Sequence, residues 1–274
     1  MQSVAEGAPA CKRGRPGHCQ LDGRPLVAAP MIEDAIVLSA GQGSRLLPVT
    51  ATRPKCLIEV GGRTLLQRQL EALAAAGLKR ALVVTGYRHE QVDEAVNGAQ
   101  PLAVETRFNP FWAVASSIGS VWIARDRLRA PFCLLNGDTL FDPEILAAAL
   151  ASPGAGLGLV VEPIEAPTYD DMLVRVEEGA VRAVAKELPE ADATHRSLGL
   201  ILAAENHAAY AQALGDLIAE RNGAGAYHHG IIDRLAQHRT VAAIERADGF
   251  WQEVDRPEDI VVWQTEHEQN GRGG

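Results

Sequence analysis

This chain is poor in cysteine and lacks long uninterrupted apolar sequence. It holds four cysteines in 274 residues, at positions 11, 19, 56 and 133. No C-x-x-C pair is present, and Cys11, His18 and Cys19 lack the spacing of a zinc site. Scattered thiols in a core-forming chain read as reduced, which predicts a cytoplasmic protein. Charge interrupts every apolar run well short of the ~18 residues that a membrane-spanning helix needs. Excess positive charge is missing too. The net charge of -9 argues against a surface that grips nucleic acid or anionic lipid.

Residues 1–30 lack any hydrophobic period and are rich in Gly, Pro and Arg. Such a segment buries too little surface to offset its ordering entropy, so a disordered arm is expected there. It has no apolar stretch after its basic residues and does not read as a secretory signal. Met31 stands directly before the first strand and is a candidate start. Residues 31–270 are expected to form a single domain.

From there strands and helices alternate. "AIVLSA", "RALVVTGY", "PLAVETRF" and "FCLLNGD" read as strands, and "TLLQRQLEALAAAGL", "RHEQVDEAV" and "SSIGSVWIARDRL" as helices. That order predicts an α/β fold with a doubly wound, mostly parallel but mixed sheet. Ligands of such sheets bind at the carboxyl ends of the strands. The later part is richer in strand and reads as an insertion or lid on the same core. It includes a hairpin turning at Glu178 and Gly179 and closing at Lys186. No internal repeat is visible.

The loop after the first strand, "GQGSRLLPVTATRPK", gathers Gly41, Gly43, Arg45 and Lys55. Glycines let backbone N–H groups approach a phosphate chain closely. Arg45 offers a planar fork for phosphate oxygens and Lys55 a mobile point charge. G-x-G alone is weak, no GK[ST] follows as in a Walker P-loop, and the third glycine of G-x-G-x-x-G is absent. Asp138 follows an apolar strand and is well placed to hold a metal against a triphosphate, whereas Asp142, followed by Pro143, suits a helix N-cap. Glu253 and Asp255 alternate along a strand-like run, so both point to one face. Two carboxylates there repel unless a cation neutralises them. Asp259 reads as serving the first turn of the last helix. No histidine forms a triad with Ser and Asp, and His228 and His229 read as a solvated helix face.

The string "LSAGQGSRLLPVTATRPKCLIEVGGRTLLQRQLEAL" closely resembles the signature of the sugar-phosphate nucleotidylyltransferase superfamily. Molybdenum-cofactor guanylyltransferases have a much shorter gap between the arginine and the lysine, and fit it poorly. "NPFWAVASSIGSVWIARDRL", "FCLLNGDTLF" and "FWQEVDRPEDI" resemble the phosphocholine cytidylyltransferase-like branch. The resemblance implies a Rossmann-like fold and transfer of a nucleoside monophosphate, CMP from CTP by preference, to a small phosphorylated or phosphonate acceptor. It implies Mg2+ on Asp138, Glu253 and Asp255, with Arg45, Lys55 and Lys186 as catalytic residues. It assigns the nucleotide to Ala40, Gly41, Gly43, Ser44, Gly86, Tyr87, Ser116 and Ser117. The branch usually has two asparagines where this chain has Ser116 and Ser117. If the acceptor carries an ammonium group, Trp112, Tyr169, Asp171 and Trp251 are its expected contacts. The expected partners are small molecules rather than nucleic acid, with a homodimer as the assembly if there is one. Two other functions stay open: a hexose-1-phosphate nucleotidylyltransferase, and a non-catalytic nucleotide-sensing subunit.

Overall fold

A computed structural model describes residues 31–152, 156–168, 170–238 and 241–269; the expected N-terminal arm lies outside them. The first strand, β1 (Asp34–Ser39), buries Ala35, Ile36 and Val37 completely or nearly so, as befits a strand covered on both faces. A two-stranded ribbon, β2 (Glu59–Val60) and β3 (Arg63–Thr64), leads into α1 (Leu65–Ala75). Thr64 caps α1 by accepting the Gln67 N–H, and the Gln67 side chain accepts the Thr64 N–H in return. Then come β4 (Arg80–Thr85), α2 (His89–Ala95), β5 (Ala103–Phe108), α3 (Ser117–Ile123) and β6 (Phe132–Asn136).

These four long strands lie parallel in the order β5-β4-β1-β6. The register sets Ser39 opposite Thr85, and Leu38 opposite Asn136. The strands therefore end level, and the loops starting at Ala40, Gly86 and Gly137 emerge together. Backbone bonds tie them: Gly137 donates to the Leu38 carbonyl and Tyr87 to that of Ala40.

The second half adds β7 (Thr139–Phe141), α4 (Pro143–Ala151), β8 (Gly158–Pro163), β9 (Leu173–Glu177), β10 (Ala180–Ala185) and β11 (His195–Ala203). α5 (His207–Ile218), α6 (His229–Ala236), β12 (Ala242–Glu245), β13 (Trp251–Glu253) and α7 (Pro257–Gln269) complete the order. β11 pairs antiparallel with β6, and the sheet runs on through β8, β12, β10 and β9 to nine strands. The β-rich insertion is thus the far edge of the same sheet, and β9 also pairs with β11. Glu178 and Gly179 both take positive φ, 51° and 71°, as the tight hairpin turn requires.

Alternation along β1 splits the core. Ile36 joins Leu134, Phe132, Ile118, Tyr210 and Ile231 under α3, α5 and α6, while Ala35 and Val37 join Leu66, Leu70, Ile145 and Leu146 under α1 and α4. A separate ribbon pairs β13 with β7, setting Glu253 opposite Thr139, and Val254 donates to the Asp138 carbonyl. That ribbon carries the late carboxylates to the early strand ends.

Candidate active site

The level strand ends open into a cavity of about 430 Å3. Ala40, Gly41, Gly43, Ser44, Arg45 and Lys55 line it from the first loop, and Trp112, Ser116 and Ser117 from the approach to α3. Asp138 follows β6, Lys186 follows β10, and Glu253 and Asp255 come from the end of β13. Thirteen of the residues singled out by sequence meet here.

At its centre Lys55 Nζ lies 2.7 Å from Asp138 Oδ2 and 2.5 Å from Asp255 Oδ1. Lys55 is 8% exposed. Burial alone would depress its pKa, but Asp138 and Asp255 outweigh that and raise it. For Asp255 burial pulls upward, and Lys55 and Arg45 outweigh it and hold the carboxyl below its ordinary range. Glu253 behaves oppositely. Burial first, then the charges of Asp138 and Asp255, push it up to about 7, and Asn136 Nδ2 donates to its Oε1 at 3.3 Å. Arg45 stands at the mouth, its side chain 51% exposed, and bridges Asp170 at 3.1 Å and Asp255 at 3.3 Å. Lys186 donates to the Asp170 carbonyl, with the Tyr227 ring 5.9 Å from its ammonium.

The donor set suits a hard divalent cation. Asp138 Oδ1 is buried without a hydrogen-bond partner, and Asp138 and Asp255 are close enough to share one ammonium. No group of three or more His, Cys, Asp or Glu among the described residues is arranged to hold a metal unaided. Mg2+ ordinarily takes one or two carboxylates and completes its shell with substrate phosphates and water, which matches this pair.

Other expected contacts fall elsewhere. Gly86 packs under the loop: a Cβ there would come within 2.5 Å of the Ala40 carbonyl oxygen and of Trp112 Cβ. Tyr87 turns away from the cavity, its hydroxyl donating to the Ala51 carbonyl and its ring packing edge-on against Trp112. Both therefore support the wall that Trp112 forms. Asp171 and Trp251 line a neighbouring cavity of about 380 Å3, which shares Glu253 and Asp255 with the first. Trp251 is engaged there, its indole N–H on the Leu198 carbonyl and the Arg196 guanidinium 5.0 Å from the ring centre. Tyr169 lies outside the described residues. The structure thus separates Trp112 from Trp251 and Asp171 instead of joining them in one aromatic cage.

His228 and His229 correct the expectation of a solvated face. They are 2% and 4% exposed and line the cavity. His228 donates its backbone N–H to Ser117 Oγ, which lies 3.1 Å from its Nδ1, and His229 Nε2 lies 2.9 Å from Ser197 Oγ. Burial lowers the His228 pKa to about 4; burial, then His228 and Lys186, lower that of His229. Both rings are neutral at pH 7. Asn136 was also missed, whereas Tyr227, an aromatic that the sequence placed near a strand-end loop, does line the cavity. Asn136, beside Gly137 and Asp138, lay inside the strand motif and could have been found there. Asp142 occupies the α4 N-cap position as expected, but its carboxylate accepts the Phe250 N–H. Asp259 accepts the N–H groups of Asp255 and Arg256, serving the last helix as read.

A family model described as the MobA-like NTP transferase domain matches residues 35–195, more than half of the chain. The Arg45–Lys55 gap, which set molybdenum-cofactor enzymes aside, does not place the chain outside that domain family. Among curated proteins, CMP-5'-(3-aminopropyl)phosphonate synthase of Streptomyces rubellomurinus is 32% identical over 82% of this chain and 37% of its own. The bifunctional IPC transferase and DIPP synthase of Aquifex aeolicus is 26% identical over 84% and 50%. The mannose-1-phosphate guanylyltransferase catalytic subunit beta of Drosophila melanogaster is 25% identical over 83% and 61%. The chain spans between about a third and three fifths of the length of these relatives. Two solved structures share the fold at low identity. The inositol-1-phosphate CTP transferase of T. maritima gives a TM-score of 0.73 at 18% identity, covering 86% of this chain and 97% of that one. The CTP:phosphocholine cytidylyltransferase of Streptococcus pneumoniae gives 0.69 at 19%, covering 87% and 100%.

Proposed function

Because the chain belongs to the MobA-like NTP transferase domain family, we propose that it transfers CMP from CTP to a small phosphorylated or phosphonate acceptor and releases pyrophosphate. One observation carries the reading. Lys55 is 83 residues from Asp138 and 200 from Asp255, yet the three meet at the carboxyl ends of parallel strands, beside Arg45 and Lys186. Sites that stabilise a phosphoryl-type transition state are built from such fixed charges.

The chemistry asks little of the protein beyond position and charge. An acceptor oxygen attacks the α-phosphorus in line; the new O–P bond forms as the bond to the β-phosphate bridge breaks, and the electron pair leaves with pyrophosphate. A phosphate or phosphonate dianion is already nucleophilic, so no general base is needed. Arg45, Lys55 and the amides of the Gly41–Gly43 loop hold the β- and γ-phosphates. Lys186 steers the acceptor anion. Ser116 and Ser117 face the nucleoside. Asp138 and Asp255 would hold Mg2+, with Glu253 beside them. When bound, the ion supplies charge compensation at the α-phosphate.

The CTP preference draws on the relative whose name gives a CMP-phosphonate product, CMP-5'-(3-aminopropyl)phosphonate synthase. A hexose-1-phosphate acceptor is the second reading, favoured by the mannose-1-phosphate guanylyltransferase relative. We propose a cytoplasmic location, in which the free, buried thiols of Cys56 and Cys133 stay reduced. No described helix is long and apolar enough to cross a membrane.

Pyrophosphate release tests the reading. ATP, CTP, GTP and UTP are each offered with phosphocholine, phosphoethanolamine, 2-aminoethylphosphonate and glucose 1-phosphate in Mg2+. CTP with one of the first three is expected to give the highest kcat/KM. Preference for glucose 1-phosphate promotes the second reading, and no release with any pair points to the non-catalytic subunit.

A further inference from the structure

Two carboxylates brought to one point repel each other, and something must hold them together before any ligand arrives. Among the described residues Lys55 is the only cation that bridges Asp138 and Asp255. Its stem runs beneath Gly43, where an added Cβ would come within 3.0 Å of Lys55 Cβ and Cδ. The lysine is therefore seated, not loosely draped. Arg45 differs: from the mouth it reaches Asp255 and Asp170, not Asp138. Asp138 Oδ1 is buried without a hydrogen-bond partner.

We infer that Lys55 is a positioning residue that holds Asp138 and Asp255 together in the nucleotide-free protein and yields them only when a triphosphate offers its ammonium a new anionic partner. This rests on the reading of Asp138 and Asp255 as the Mg2+ carboxylates. At hydrogen-bond distance from both, the ammonium fills the space that a divalent ion needs. Moving it aside without a phosphate would strand a buried, unpaired cation, which is costly. Divalent metal alone therefore binds weakly. Metal and nucleotide bind cooperatively, because each relieves the cost of the other. Lys55 thus has two successive partners, the carboxylates and then the phosphates.

The test measures Mn2+ binding to the whole chain without nucleotide, from the electron paramagnetic resonance signal of the free ion. Lys55→Met should tighten Mn2+ binding by about fivefold or more, since the carboxylates lose their resident cation. Arg45→Met removes the same charge without vacating the bridge and should change it by less than about twofold. CTP should strengthen Mn2+ binding to the wild type beyond its own affinity for the ion, and Lys55→Met should lose most of that gain. Circular dichroism checks the fold, and Lys55→Gln replaces Lys55→Met if the latter does not fold. Unchanged or weaker Mn2+ binding in a folded Lys55 variant overturns the inference, as does an equal gain in Arg45→Met. If the wild type takes up no Mn2+ even with CTP, the metal reading of the carboxylates fails and the inference falls with it.

Discussion

Gly43 lies directly over Lys55. Its φ of 73° is left-handed, and a Cβ there would stand 3.0 Å from two carbons of the lysine stem. Gly43→Ala therefore meets both backbone strain of ~1 kcal/mol and a crowded neighbour. The lysine should shift, and kcat/KM should fall by about tenfold. Gly41 has nothing within 4 Å of its added Cβ, so Gly41→Ala should leave the melting temperature unchanged. Steady-state kinetics and thermal melts of both variants decide; full activity in Gly43→Ala would remove the proposed seat.

Asp138→Asn keeps the size of the side chain and removes its charge at the Lys55 bridge. The fold should survive, since Asp255 still accepts from Lys55. Turnover should drop by a factor of ~100 or more, because a metal ligand acts mainly on the transition state. Near-normal kcat at saturating Mg2+ would reject the metal assignment.

His228 gives a pH signature. Its folded pKa is lowered to about 4 from an ordinary 6.5. The unfolded chain therefore binds the proton first as the solution is acidified. The contribution of neutral His228 is whole above pH 6.5 and is lost as pH falls from there towards 4, up to about 3 kcal/mol. Urea midpoints at pH 7.5 and 5 measure this. His228→Gln, which cannot titrate, should lose less stability over that interval than the wild type. Equal losses would contradict a buried neutral ring.

Removal of residues 1–30 should change melting temperature and activity little, because that stretch has no periodic apolar face. A drop of several degrees would show that it packs on the domain, against the division proposed from sequence.

The sequence alone was sufficient for the parallel strands and the loops at their carboxyl ends. Period, glycine stops and helix caps are local signals, read within about a dozen residues. Arg45, Lys55, Asp138 and Asp255 were legible as charges of the kind that the proposed triphosphate and its metal would call for. Only the tertiary structure decided which charges touch. Lys55 meets two carboxylates 83 and 200 residues away because β7 and β13 pair, and nothing local in "TLF" announces that ribbon. It likewise buried His228 against Ser117, 111 residues earlier, although the same residues "YHH" would suit a wet surface. It also parted Trp112 from Trp251, which sequence could place only near strand ends. Side-chain environment is set by long-range packing, and no local pattern of residues carries that information.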